Sequence, residues 1–224
     1  MTSIAQAITT TQAITTDQAV TTRRDTIDEL LGVKPGSALD LLRARRPITR
    51  AQAQASYDAL FAPVHAHTVS AVERFAVAAF VSGLHANQSA AQHYAQQLSG
   101  AVAEVTPVEA AVTRGVPQLI AAEIVAATTT GPYGRYPAGP LSTENIDGLR
   151  YRVAPEHRDA LGSRLSAALE HAHLLVYRPR EASPEALQAL LDAGWSSTEI
   201  VTLSQLIAFL TFQIRVVAGL ELLA

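Results

Sequence analysis

The chain has 224 residues, a net charge of −3 and no cysteine. Its apolar fraction of 48% contains few aromatics and leans on Ala and Leu, both strong helix formers. This composition excludes a disulfide framework and leaves no basic field to hold a nucleic-acid backbone, so nucleic acid is not an expected partner.

Three copies of a six-residue unit open the chain: Gln6-Ala-Ile-Thr-Thr10, Gln12-Ala-Ile-Thr-Thr16 and Gln18-Ala-Val-Thr-Thr22. Thr-rich polar sequence is a poor helix former, and three copies are too few for a solenoid. Residues 1–24 are therefore expected to lie outside a domain formed by residues 25–224. They are either a tail or an arm laid on a neighbouring subunit through Ile8, Ile14 and Val20. Residues 1–17 lack the basic and apolar regions of a signal peptide.

Helical signals dominate from Asp25 onward. Asp25 is placed to cap a helix from Thr26 to Leu31, ended by Gly32. Ser37 is placed to cap a second, with Leu39, Leu41 and Leu42 as its apolar side. Arg43, Arg45 and Arg46 lie near its C-terminal end, where they suit the helix dipole, and Pro47 is read as its stop. Thr49 opens a third helix through Ala62, closed by Pro63. Thr68 to Leu84 is apolar nearly all round, as a central helix should be. Ser89 to Leu98 makes a shorter amphipathic helix, and Thr106 or Pro107 begins another. A helix from about Pro117 to Thr128 leads into the loop Gly131-Pro-Tyr-Gly-Arg-Tyr-Pro-Ala-Gly-Pro140. Tyr133 and Tyr136 in that loop either cover a pocket or belong to a surface connection.

Pro155-Glu156 starts a long helix through Val176, stopped by Pro179. Ser183-Pro184-Glu185 caps the next, which Gly194 ends. Ser196-Ser-Thr-Glu199 resembles a capping box for the last helix, to about Leu222. The apolar stretch within it carries Gln205, Gln213, Arg215 and Glu221, so it reads as a buried helix rather than a membrane span. No run alternates as strands do. The expected fold is all-α, in a soluble, cytoplasmic protein with no membrane partner.

The block from Leu187 through Ala193-Gly-Trp-Ser196 and on to Phe209-Leu-Thr-Phe-Gln-Ile-Arg215 resembles the carboxymuconolactone decarboxylase/AhpD-like superfamily, in its peroxidase-related (alkylhydroperoxidase-like) branch. Glu170-His-Ala-His-Leu-Leu-Val-Tyr-Arg-Pro179 fits the helix preceding that block in the family, and Glu73-Arg-Phe-Ala-Val-Ala-Ala-Phe-Val-Ser-Gly-Leu84 the helix leading into its active site. The resemblance covers roughly residues 50–222. It implies an AhpD-like helical bundle, assembly as a homo-oligomer (dimer, trimer or hexamer), and an oxidoreductase of antioxidant ancestry that needs no cofactor. In thiol-active relatives a Glu precedes a Cys-x-x-Cys-x-x-x-His motif that reduces hydroperoxides. Glu73 fits the glutamate position and His93 the histidine, which puts Ala86 and Ser89 in the two cysteine slots. Both thiols are thus missing, and with them the family's peroxidase mechanism.

Two roles are open to Glu73: a structural ion pair with Arg74, Arg215 or another subunit's arginine, or a general base whose pKa burial raises. His93 is either a packed or surface residue of its helix or, meeting Glu73, half of a proton relay with Ser89 beside it. The triplets His65-Ala-His67 and His171-Ala-His173 invite a metal reading, but alternate residues on a helix point apart, so the second cannot chelate one ion from a regular helix, and zinc would want further His, Cys or carboxylate ligands. Three functions follow: a peroxidase-related protein without thiol chemistry; a decarboxylase-type acid–base enzyme acting on a small carboxylated molecule, which would need an arginine such as Arg74 or Arg215 in its pocket; or a non-catalytic binding oligomer.

Overall fold

The computed structural model describes residues 25–63 and 69–223; the N-terminal repeat and the His65-Ala-His67 triplet lie outside them. The described residues form α1 (Thr26–Leu31), α2 (Ala38–Ala44), α3 (Pro47–Phe61), α4 (Ala71–Leu84), α5 (Gln88–Glu104), α6 (Pro107–Thr113), α7 (Val116–Ala127), α8 (Pro155–Tyr177), α9 (Pro184–Asp192) and α10 (Ser197–Glu221). Short 3-10 turns follow at Pro140–Glu144 and Pro179–Glu181. Among the described residues there is no strand, only an isolated bridge between Gly134 and Ile146. The fold is all-α.

Local chemistry sets most helix starts. Asp25, Ser37 and Ser183 accept a backbone N–H of the first turns of α1, α2 and α9. Reciprocal capping boxes open α4 (Ser70 with Glu73), α6 (Thr106 with Glu109) and α10 (Ser196 with Glu199). Two boundaries differ from the sequence reading. Pro47 is not simply a stop, because it also occupies the first turn of α3, where its missing N–H costs nothing. α5 runs past Leu98 to Glu104, carrying Gly100 on an exposed turn. Arg43 lies in the last turn of α2, as expected, and with Arg50 it also binds Asp25 and Asp28, while Arg50 holds Asp40, tying α1, α2 and α3 together.

The core is built round α4. Ala76, Val77, Ala78, Phe80 and Val81 have no exposed surface, and α4 packs against α5, α7, α8 and α10. Each such Val or Phe contributes about 1.5–3 kcal/mol of burial. Gly83 permits the approach of α7, since a Cβ there would stand 2.7 Å from Ile124. The opposite wall is α10, where Leu203, Leu206, Ile207 and Leu210 are buried. Tyr94 on α5 donates its hydroxyl to the side-chain oxygen of buried Gln213 on α10.

α8 is interrupted at Gly162, whose φ of 75° lies in the left-handed region. Beyond that break, residues 163–177 carry the two buried histidines of the second triplet. The Gly/Pro loop is mostly exposed, as a surface connection is, but its two tyrosines anchor it. Tyr133 is buried, donates to the Leu149 carbonyl at 2.6 Å and stacks on Tyr177. Tyr136 lies under the Arg180 guanidinium.

Candidate functional site

Glu73 belongs to the first turn of α4, where its carboxylate accepts from the Ser70 amide at 2.8 Å. Its other partner is neither Arg74 nor Arg215. Arg164 Nε on α8 stands 2.6 Å from Glu73 Oε1, and the same guanidinium binds Glu199 Oε1 at 2.6 Å and the Gly194 carbonyl at 2.8 Å. Its plane lies 4.0 Å above the Trp195 ring, whose Nε1 donates back to the Arg164 carbonyl. The N-terminal turns of α4 and α10 thus converge on one arginine. Burial alone would depress the Arg164 guanidinium, but its hydrogen bonds to Glu199 and Glu73 outweigh this and hold it above its ordinary value. Arg74 is buried and donates to the Leu60 and Val69 carbonyls, while Arg215 is exposed.

The other predicted residues cluster at the far end of the α4–α5 hairpin. Ala86 is exposed in the turn with φ of 53°, an unfavourable conformation for a residue with a Cβ. Ser89 Oγ donates to Asn87 Oδ1 at 3.0 Å, and Asn87 in turn caps α5. His93 is half-buried, with its ring edge-on to Tyr94. At about 1.5 Å of rise per residue, Glu73 stands roughly 16 Å along the hairpin from the turn and His93 roughly 8 Å. The hairpin therefore groups Ala86, Ser89 and His93 but leaves Glu73 apart, already engaged by Ser70 and Arg164.

A cleft of about 360 Å³ opens elsewhere, between α8, α9 and the segment preceding α8. Its walls include Arg150, Arg152, Glu170, His171, Arg178 and Glu181. The Arg150 and Arg178 side chains both grip Glu181, at 3.0 and 3.1 Å, and Arg152 and Arg158 both bind Glu170. Four guanidiniums thus share two carboxylates. His171 is 6% exposed, and neither ring nitrogen has a hydrogen-bond partner. Loss of solvent pushes its pKa down to about 4, so its imidazole is neutral at pH 7. His173 is pushed down to about 4 by desolvation, with a further push from Arg178 and opposition from its hydrogen bond to Ala127. Because that partner is a carbonyl, 3.2 Å from Nε2, the ring carries its proton on Nε2. Among the described residues no group of three or more His, Asp or Glu side chains is arranged to hold a metal.

Behind this cleft lies a constellation missed from the sequence. Glu123 on α7 is 1% exposed and accepts from the Tyr151 hydroxyl at 2.5 Å, the Ala154 amide at 3.1 Å and His157 Nδ1 at 2.6 Å. The signal was present: a lone carboxylate in the apolar run Val116–Ala127 must find donors. The cleft arginines carried no such signal, because Arg150 and Arg152 come from a segment without regular structure. No family model, curated protein or solved structure matches this chain.

Proposed function

We propose that this chain is a cysteine-free protein of the carboxymuconolactone decarboxylase/AhpD-like kind. In this reading it is peroxidase-related by descent and performs cofactor-independent acid–base chemistry on a small molecule, in the α8–α9 cleft. The observation that carries the proposal is His171, a buried neutral imidazole with both ring nitrogens open, beside a set of arginines. A neutral imidazole can accept a proton, but one titrating near 4 is a weak base at neutral pH. A bound anion corrects this, because negative charge nearby raises an imidazole's pKa toward the working range. In a decarboxylation the carbon–carbon bond to the carboxylate breaks, CO2 leaves, and the electron pair left on carbon takes up a proton from His171, which the bound anion first lets draw that proton from water and which returns to the neutral imidazole.

Thiol peroxidase chemistry is no part of this reading, since the chain has no thiol and Glu73 is engaged by Arg164. The proposal includes a homo-oligomer, supported by the exposed Val108, Val112 and Val125 on α6 and α7. The test is an assay in two arms. With cumene hydroperoxide and dithiothreitol the purified protein is expected to show no turnover above buffer. With a small carboxylated lactone it is expected to turn substrate over, and His171→Gln to abolish that rate while the fold is kept. Hydroperoxide turnover lost in His93→Ala overturns the proposal.

A further inference from the structure

The side chains of the α8–α9 cleft are graded by depth. His171 is nearly sealed off, Arg178 is 14% exposed in its side chain, and Arg150 and Arg152 are 63% and 75% exposed. The deep carboxylates Glu170 and Glu181 are each held by two guanidiniums, so their charge is more than matched. Among the residues that line the cleft, Arg150, Arg152 and Arg178 stand three to three with Glu170, Glu181 and Glu185, and Arg158, outside the lining, adds a fourth guanidinium on Glu170. Burial above all, with smaller pushes from Arg150 and Arg152, pulls the Arg178 pKa below the ordinary arginine value despite Glu181. The first turn of α9, with Ser183 as its cap, also borders the cleft, and a helix N-terminus favours negative charge. Leu174, Leu190 and the Tyr151 ring supply apolar wall.

We propose that this cleft binds a small organic oxyanion, a carboxylate or a phosphate monoester. Its charged head lies among Arg150, Arg152 and Arg178, and its body reaches His171. The exposed arginines are free to exchange part of their hold on Glu170 and Glu181 for the incoming anion, in the bidentate geometry guanidinium favours. His171 then gains the partner it lacks, by hydrogen-bonding the ligand. The volume lies within the range of small-molecule sites.

The inference rests on reading the cleft as the working site, and the experiment separates the two. The full chain is titrated with benzoate, phenyl phosphate and uncharged benzamide, followed by calorimetry and by the imidazole NMR signals of His171. One or both anions bind saturably and shift His171, whereas benzamide does not; the preferred anion distinguishes carboxylate from phosphate. R178Q and R152Q each weaken binding about tenfold, the weight of one charge-assisted hydrogen bond. Arg152 is solvent-exposed, so R152Q keeps the test decisive if R178Q fails to fold. Equal binding of benzamide and the anions, or unchanged affinity in R152Q, overturns the site. Anion binding in a protein that turns over no substrate supports this site and removes the acid–base function. Turnover of a neutral substrate without anion binding does the reverse.

Discussion

Replacing Arg164 by Met is expected to destabilise the protein by about 2–3 kcal/mol, because it strips the shared cation from Glu73 and Glu199. The magnitude follows from exposure. Loss of one partner from a fully buried pair costs about 3–5 kcal/mol, and from a surface pair about 1 kcal/mol or less. The Glu73 and Glu199 side chains are 16% and 8% exposed and Arg164 is 27% exposed, which puts this cluster between those limits. The helix N-termini that carry the carboxylates offset part of the loss, while the Trp195 contact adds about 0.5–1 kcal/mol to it. For a chain of this size the melting temperature should fall by roughly 6–9 °C in scanning calorimetry. Glu73→Gln keeps a capping side chain and a neutral hydrogen bond to Arg164, so it should cost about 1 kcal/mol or less. A shift under about 1 °C for Arg164→Met, or a larger loss in Glu73→Gln than in Arg164→Met, refutes the structural assignment of Glu73.

Two further outcomes are expected. Histidines in the unfolded chain titrate near 6.5, whereas His171 and His173 titrate near 4 in the folded protein. Between those values the unfolded chain binds protons that the folded one refuses, so this contribution is complete above about pH 6.5 and is lost as the pH falls toward 4. The limiting slope is about 1.4 kcal/mol per pH unit for each histidine. Urea unfolding at pH 7.5 and 4.5 should show a smaller acid loss in His171→Phe than in the parent, and parallel losses in the two proteins contradict the assignment. Gly83→Ala places a methyl 2.7 Å from Ile124 and should cost about 1–3 kcal/mol by forcing α7 from α4. Adding Ile124→Ala should restore part of that stability, and a further loss in the double variant argues against the clash.

Much of the helical framework was legible because caps are local. Asp25, Ser37, Ser183 and the Ser196–Glu199 box mark their helices within four residues, and the structure shows those contacts. Pro47 was misleading because one residue type both ends and begins helices; only the link through Arg45 and Arg46 shows that it does both. The partner of Glu73 was not legible at all, since Arg164 lies far along the chain and only the packing of α8 against α4 brings it close. His171 and His173 were visible as a triplet, but their burial was not. The tertiary fold also decides that Arg150, Arg152 and Arg178 face one space.

Glu123 has a consequence for how this cleft can change. From a helix that contributes no wall, its carboxylate fixes Tyr151, the Ala154 amide and His157, and so sets where the roof of the cleft lies. Ligand preference can therefore be retuned at a distance, by substitutions on α7 that shift this anchor. The arginines and His171, which meet the ligand, would remain untouched.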